Sequence, residues 1–348
     1  MIQLLRRRPQ LFVFLLAFSL VASNAYLLLV NHRPEFASDE QNYLRMARGE
    51  FALVPTVHRY RILLPALARG VAEVLSLLQR FRGVSQLSLP LGVSFFILNT
   101  TFAALTGLLL YRIAKMHGAT SFAALLGMVA VMTSGSMTYI TGLALVDSPA
   151  GLVEATLFYA LVARSRPFLL ASIAASLVVK EPLGLFLPIA VYYGNFVPWS
   201  QRLVAVVVAT LLAAGLHFAM DALLPLSPLL KPQANLLLHH AIRAFYRLRM
   251  LTSMTGLLAA VSVFGGFNLI LLGGLTGGRA SIRTWAAQLH PSAPWFLGVV
   301  FAQVLLSADI SRMLLLAGPI VGTAIALILD GHPLFVSFRR QLDMVPRV

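Results

Sequence analysis

Residues Pro9–Asn31 read P-Q-L-F-V-F-L-L-A-F-S-L-V-A-S-N-A-Y-L-L-L-V-N and carry no charge. A run of about 20 apolar residues is long enough to cross the ~30 Å hydrocarbon layer of a bilayer as an α-helix. Comparable uncharged runs follow at Gly83–Tyr111, Gly118–Val146, Pro182–Gln201, Leu203–Met220, Met250–Gly278 and Thr284–Ala308. Shorter apolar pieces lie at Ser148–Ala163, Phe168–Val179 and Met313–Leu329. The pattern predicts an all-α membrane protein with about ten transmembrane helices.

The composition agrees with a chain that lies mostly in lipid. Apolar residues make up 59% of the chain, charged residues make up 11%, and the formal net charge is +15. In a soluble protein this charge would indicate nucleic-acid binding. Here the basic residues are divided among loops on both faces, so we expect membrane lipids and no nucleic acid as partners. The absence of cysteine from the sequence excludes disulfides, thiolate metal sites and a thiol nucleophile.

A single polytopic membrane domain is expected over residues 1–348. It divides into a first span at 9–30, an extracytoplasmic loop at 31–89, the remaining spans at 90–329 and a cytoplasmic tail at 330–348. The basic start and the small residues near Ala22 and Ala25 also fit a cleavable signal peptide. Because the apolar run continues to Val30, a retained anchor is the favoured interpretation. With or without cleavage, the residues after Asn31 face the same side.

The segment from Arg61 to Arg80 admits two placements. It is long enough to span a bilayer, but Arg69 and Glu73 share one helical face opposite a leucine face. A charged stripe of this kind is typical of a helix that lies in the membrane interface. Pro65 and Gly70 also weaken a straight spanning helix. We therefore expect interfacial helices in the first extracytoplasmic loop, ten spans, and both termini in the cytoplasm.

The first loop contains S-D-E-Q-N-Y-L-R-M-A-R, residues 38–48. One interpretation is structural, because Ser38 can cap a helix whose first turn holds Asp39 and Glu40. The other is chemical, because a carboxylate at the water–membrane boundary can take a proton from an acceptor hydroxyl. Tyr43 of the same stretch is assigned to a substrate pocket.

The expected topology brings the other charged motifs to the same extracytoplasmic face. They are Arg59 and Arg61 in H-R-Y-R, Asp147 in L-V-D-S-P, Lys180 and Glu181 in V-K-E-P, and Asp309 and Arg312 in D-I-S-R. Basic residues on the translocated side need a reason other than topology, and an anionic ligand is one. Arginine offers a phosphate bidentate hydrogen bonds that lysine cannot match. The sequence therefore predicts a single extracytoplasmic site.

Each motif also has a local explanation. These are an N-cap at Asp147, a mutual ion pair of Lys180 and Glu181, snorkelling of Arg59 and Arg61, and a salt bridge between Asp309 and Arg312. Glu154 lies seven residues after Asp147 on the same helical face. A carboxyl group inside the membrane must pair with another group or stay protonated.

No metal ion or other cofactor is expected. His239 and His240 are adjacent, so they point apart on a helix, and the sequence has no histidine or carboxylate four residues away from them. The basic helix around them, with Arg243 and Arg247 on one face, suits lipid phosphate or anionic headgroups. The sequence also lacks the common nucleotide-binding and hydrolase motifs.

These motifs together resemble the GT-C superfamily of polytopic glycosyltransferases, which use polyprenyl-phosphate-linked sugars as donors. Members carry an acidic motif in the first extracytoplasmic loop, usually followed by interfacial helices. The order of S-D-E-Q-N-Y-L-R-M-A-R and H-R-Y-R-I-L-L-P-A-L-A-R is similar to that layout. The segments L-V-D-S-P, K-E-P-L-G-L-F-L-P and D-I-S-R-M-L-L-L-A-G-P resemble features of bacterial members. Larger members have a soluble carboxy-terminal domain, which we do not expect here.

The resemblance implies an inverting transfer of a hexose or pentose on the outer face of the bacterial cytoplasmic membrane. The donor would be a polyprenyl-phosphate-linked sugar and the acceptor a lipid, glycan or protein of the cell envelope. The resemblance implies Asp39 as the general base, with Glu40 assisting or orienting it. It implies donor-phosphate binding by Arg59, Arg61 and Lys180, and a substrate pocket formed by Tyr43, Asp147, Glu181, Asp309 and Arg312.

Two other classes of protein compete with a transferase. A transporter or flippase of a lipid-linked or anionic solute predicts polar residues through the midplane and an internal repeat. The sequence shows few such residues beyond Glu154, His217 and Asp221, and no convincing repeat. A non-catalytic envelope scaffold would need neither the acidic pair nor the outward arginines.

Overall fold

The structure is a computed structural model that describes residues 9–32, 37–81, 90–224, 236–307 and 309–337. Within these ranges it consists of α-helices and short 3₁₀ helices, without a β-strand. This confirms the all-α class predicted from the apolar runs. The end of the predicted first loop, at 82–89, and the predicted tail beyond residue 337 lie outside the described residues.

The α-helices follow one another with short connections. In the first half they are α1 (Pro9–Asn31), α2 (Ser38–Arg48), α3 (Thr56–Arg59), α4 (Leu63–Phe81), α5 (Pro90–Met116), α6 (Ser121–Met132), α7 (Gly135–Gly142), α8 (Asp147–Ala163) and α9 (Arg166–Val179). In the second half they are α10 (Leu187–Tyr193), α11 (Trp199–Leu223), α12 (Leu236–Leu251), α13 (Met254–Phe264), α14 (Asn268–Gly274), α15 (Gly278–Ala286), α16 (Ala293–Leu306), α17 (Ile310–Leu314) and α18 (Gly318–Gly331).

Several helices are long and apolar enough to cross a membrane. Within the described ranges there are five of them: Pro9–Asn31, Leu91–Met116, Trp199–Leu223, Met254–Gly274 and Ile310–Gly331. The pair α6 and α7 makes a sixth if it is taken as one broken span. These helices are compatible with a multi-pass membrane protein.

Several of the predicted uncharged runs are interrupted rather than single straight helices. The run Gly118–Val146 bends by 58° between α6 and α7, where the Ser134 hydroxyl accepts a hydrogen bond from the Met137 amide and starts a new helix. The run Met250–Gly278 breaks at Gly265, which adopts a positive φ of 51°. Within the run Pro182–Gln201, α10 ends at Tyr193, and α11 begins directly after Pro198. Polar or special backbone positions, rather than charges, cause these breaks.

Helix α5 lies at the centre of the bundle and contacts α1, α4, α6, α7, α8 and α18. On one side, an apolar core joins α1, α5, α6 and α7. On the other, α8, α9 and α16 form a second core in which the Phe296 ring lies 5.0 Å from the rings of Phe158 and Phe186. The Asn99 side chain of α5 donates hydrogen bonds to the carbonyls of Leu143 and Leu145, which holds the turn between α7 and α8.

The two ends of the bundle have different contacts. At one end the Thr120 hydroxyl donates to the Asp330 carboxylate at 2.8 Å, and the His290 amide donates to His117 Nε2 at 3.2 Å. The other end receives α2, α3 and the amino ends of α8 and α17. It contains most of the charged residues discussed below.

Helix α4 covers most of the segment whose placement the sequence left open. Its Arg69 and Glu73 form an exposed ion pair with an N–O distance of 3.0 Å, which confirms that they share a face. Helix α4 is not among the five helices of the described ranges that are long and apolar enough to cross a membrane. Its position in the membrane interface stays a prediction.

Helices α6 and α18 approach each other at two glycines. A Cβ atom added at Gly127 would overlap the carbonyl oxygen of Gly322, which leaves no room for a side chain. Small residues of this kind let spanning helices pack backbone to backbone.

Substitution Gly127→Ala should destabilise the protein by about 1–3 kcal/mol, because the added methyl group forces the two helices apart. The matched control is Gly215→Ala, where an added Cβ meets no atom within 4 Å. Replacing a helical glycine there should leave stability unchanged or raise it by about 0.5–1 kcal/mol. The unfolding midpoint of the detergent-purified variants measures both effects. Equal midpoints for the two variants would contradict the close packing.

Candidate functional site

Arg312 is the residue on which the charged end of the bundle converges. Its guanidinium lies 3.0 Å from Asp39, 3.4 Å from Asp147 and 2.9 Å from Asp309. The Asp309 carboxylate also accepts hydrogen bonds from the Arg312 amide and the Ser311 hydroxyl, so it caps the start of α17. The local salt bridge expected between Asp309 and Arg312 is therefore present, and Arg312 extends it to two distant carboxylates.

Asp147 and Lys180 form the most buried ion pair of this group. Lys180 Nζ lies 2.5 Å from Asp147 Oδ1, and the two side chains are 11% and 10% exposed. Asp147 is the first residue of α8 and follows the N-cap Val146, so the N-cap interpretation of Asp147 is wrong. Lys180 occupies an extended position between α9 and the next 3₁₀ turn. The break in the helix thus turns a cation towards the start of α8.

Arg61 and Glu181 form a second ion pair beside the first. The Arg61 Nε atom donates to Glu181 at 3.0 Å, and Arg61 Nη1 donates to the Tyr43 hydroxyl at 3.4 Å. The mutual pairing of Lys180 and Glu181 considered above is therefore wrong, since each binds a residue from another segment. Burial and the neighbouring carboxylate Asp147 raise the pKa of Tyr43 above its ordinary value, although Arg61 opposes this shift.

His58 completes the group and was missed in the sequence. Its Nδ1 atom lies 3.3 Å from the Tyr43 hydroxyl, and its Nε2 atom lies 3.7 Å from Asp39. Burial lowers the pKa of His58 below 6.5; Arg61 and Arg312 add to this shift, while Asp39 opposes it. The signal was its position in H-R-Y-R, beside two residues already assigned to the site.

We call this group the charged cluster. It consists of Asp39, Tyr43, His58, Arg61, Asp147, Lys180, Glu181, Asp309 and Arg312. Among these described residues, four carboxylates meet three permanent cations, so each cation already has a carboxylate partner. No three histidine or acidic side chains within the described part of the chain are placed to hold a metal ion. The expectation that the protein needs no metal stays a prediction.

Glu40 points away from its neighbour Asp39. Its carboxylate is 3% exposed, accepts a hydrogen bond from the Ala144 amide at 2.9 Å, and lies 3.0 Å from His32 Nε2. Helix α2 begins at Ser38 after the N-cap position Ala37. The side chain of Ser38 lies outside the described residues, so its capping role stays a prediction. Glu40 ties the first loop to the end of α1 and to the turn between α7 and α8.

Arg59 contacts the carboxyl end of α11. It is 1% exposed, donates to the Met220 carbonyl at 3.2 Å and lies 3.9 Å from Asp221. The neighbouring Tyr60 stacks on His217 with ring centroids 3.7 Å apart and donates to Asp221 at 2.9 Å. Of the three predicted phosphate ligands, the structure thus places Arg61 and Lys180 in the charged cluster and Arg59 against α11.

Three residues of the charged cluster share a cavity with Glu154 of α8. Asp147, Lys180, Arg312 and Glu154 line it together with apolar side chains of α5, α6 and α7. The cavity therefore contains a carboxyl group that lies outside the charged cluster.

Comparisons with protein-family models, with curated proteins and with solved structures found no match.

Substitution Arg312→Gln should cost about 3–5 kcal/mol of stability, because it leaves carboxylates from three segments without their shared cation. The matched control is Arg69→Gln, which breaks a pair whose side chains are 58% and 66% exposed. Such surface pairs contribute at most about 1 kcal/mol. Chemical unfolding of the purified variants would compare them, and a similar loss for both would contradict the central position of Arg312.

The pH dependence of stability should show the titration of His58. In the unfolded chain a histidine has a pKa of about 6.5, and burial lowers the pKa of His58 in the folded protein. The unfolded state then binds more protons, so this contribution is present above pH ~6.5 and is lost as the pH falls through the lower folded pKa. The unfolding midpoint of His58→Gln should consequently fall less steeply on acidification than that of the wild type. Parallel pH curves for the two proteins would contradict this.

Proposed function

We propose that this protein is an integral membrane glycosyltransferase that moves a sugar from a polyprenyl-phosphate donor to an acceptor hydroxyl. The observation that supports it best is the convergence of five segments in the charged cluster. Asp39, Arg61, Asp147, the pair Lys180 and Glu181, and Arg312 come from separate parts of the chain and contact one another directly or through a shared partner. Burying charged groups in a membrane protein costs free energy, and such groups are typical of functional sites.

In the proposed reaction Asp39 is the general base. Its side chain is 26% exposed, whereas that of Asp147 is 10% exposed, so Asp39 is the more accessible to an acceptor. The Asp39 carboxylate takes the proton of the acceptor hydroxyl while the hydroxyl oxygen attacks the anomeric carbon. The bond from that carbon to the phosphate oxygen breaks, and the polyprenyl phosphate leaves with the electron pair. Attack opposite the leaving group inverts the anomeric configuration.

The departing phosphate needs cations that can exchange partners. Arg61 is bound to Glu181, which is 34% exposed, so a phosphate can replace Glu181 on the guanidinium. Lys180 is paired with the buried Asp147. We propose that its positive charge also stabilises the departing phosphate from the side of the cavity. Arg59 and Glu40 act in this scheme as anchors of the first loop.

The topology proposed for this enzyme has ten spans, with the charged cluster on the extracytoplasmic side of a bacterial cytoplasmic membrane. Support comes from the alternation of helix ends. The amino ends of α8 and α17 and the carboxyl end of α9 contribute to the cluster, whereas Thr120, before α6, and Asp330, in the last turn of α18, meet at the other end. The spans beyond the five long helices would be formed by shorter helices, such as α8, α9 and α16.

A second candidate function is transport of a lipid-linked or anionic solute. Two observations favour it: the 58° bend between α6 and α7, and the buried Glu154. Broken helices and intramembrane carboxyls occur at the binding sites of transporters. A transporter would move the intact lipid-linked sugar across the bilayer without cleaving its sugar–phosphate bond.

Substitution Asp39→Asn should lower sugar transfer by about 10²–10⁴-fold, because the amide cannot accept the proton of the acceptor. The assay uses membranes containing the protein and a panel of polyprenyl-phosphate-linked hexoses and pentoses. The matched control is Asp221→Asn, which changes a carboxylate that lies against Arg59 and Tyr60.

Loss of transfer with Asp39→Asn alone would support both the enzyme and its base. Full transfer by Asp39→Asn would contradict the assignment of the base. Movement of intact donor without transfer, in wild-type protein, would favour the transporter.

A further inference from the structure

Glu154 lines the same cavity as Asp147, Lys180 and Arg312 of the charged cluster, and the transfer proposed above does not use it. It is 2% exposed, and its Oε1 atom has no hydrogen-bond partner among the described residues. Asp147, Gly151 and Glu154 follow one another at helical spacing and all line the cavity. The Ser148 hydroxyl, also in this lining, has no partner among the described residues either. Two buried polar groups without described partners therefore belong to the lining of one cavity.

Such groups are costly unless something binds them. A buried polar atom without a hydrogen bond costs about 1–3 kcal/mol, and an unpaired buried carboxylate costs so much more that the group stays neutral. A neutral carboxyl both donates and accepts hydrogen bonds. That is the pairing a hydroxyl group needs.

The size of the cavity limits what can enter. Its volume is about 30 Å³, and one water molecule needs roughly 10–15 Å³ by the same measure. A hydroxyl or hydroxymethyl group fits, whereas a whole sugar ring does not. Apolar side chains in the same lining, among them Leu110, Val131 and Ile140, favour an uncharged group beside Glu154.

We propose that the hydroxyl-bearing edge of the donor sugar enters this cavity and hydrogen-bonds to the Glu154 carboxyl. The inference rests on the proposed transferase function and specifies its donor. The donor phosphate lies at Arg61 and Lys180, so the edge that reaches Glu154 is the one remote from the phosphate. A sugar accepted by this protein therefore carries a free hydroxyl or hydroxymethyl group on that edge.

The test measures binding rather than turnover. Purified protein in lipid nanodiscs is titrated with undecaprenyl phosphate, and with undecaprenyl phosphate linked to glucose, galactose, mannose or arabinose. The wild type should bind at least one sugar-linked compound about tenfold more tightly than undecaprenyl phosphate. Glu154→Gln keeps a neutral hydrogen-bonding group and should retain this preference within about threefold. Glu154→Leu should lose this preference and should bind the sugar-linked compounds no more tightly than undecaprenyl phosphate.

Gly151 provides a variant that fills the cavity without touching Glu154. A Cβ atom added there meets no atom within 4 Å, so Gly151→Ala should fold normally. Its methyl group narrows the passage and should abolish the preference for the sugar-linked compound while leaving undecaprenyl phosphate binding unchanged. The control is Gly215→Ala on α11, which also has open space around an added Cβ and lies outside the cavity lining.

The outcomes separate the inference from the proposed function. An unchanged sugar preference in Glu154→Leu would overturn the inference and leave a water molecule as the occupant of the cavity. Equal binding of sugar-linked and sugar-free compounds by the wild type would also overturn it, while preserving the polyprenyl-phosphate site. Failure of the wild type to bind any of the compounds would overturn the proposed function and the inference together.

Discussion

The contact of Arg312 with Asp39, Asp147 and Asp309 is the constraint on which the charged end of this protein depends. A single planar guanidinium presents N–H donors in several fixed directions, so it can bind three carboxylates at once. Those carboxylates begin or lie near the start of α2, α8 and α17. The position of one cation therefore sets the relative placement of three helices, and the pairs of Lys180 and Arg61 are built around it.

The part of the fold that depends on apolar run length could be predicted from the sequence. Burial of uncharged stretches in lipid requires helices, and their ends carry the charges, which is why the motifs around Asp39, Asp147 and Arg312 were expected on one face. The breaks within the apolar runs could not be predicted in the same way. They depend on the Ser134 cap and on the backbone conformation of Gly265, which an uncharged sequence does not distinguish from a continuous helix.

The contact partners of individual side chains also could not be predicted from the sequence. Adjacent residues such as Asp39 and Glu40, or Lys180 and Glu181, look like functional pairs because they are neighbours. On a helix or at a helix break, neighbours point in different directions, and here each member of both pairs binds a residue from another segment. Faces can be inferred from topology, but contacts require the packing of the helices.

The sequence separation of the Arg312 contacts bears on how the chain is made. Arg312 lies 273 positions after Asp39 and 165 positions after Asp147. Synthesis proceeds from the amino end, so both carboxylates reach the membrane long before their counter-ion exists. A chain released early would hold Asp147 with Lys180 but Asp39 without its arginine partner, and would differ in charge, not only in length, from the finished protein. The last helices to be inserted thus bring the cation that Asp39 and Asp147 share.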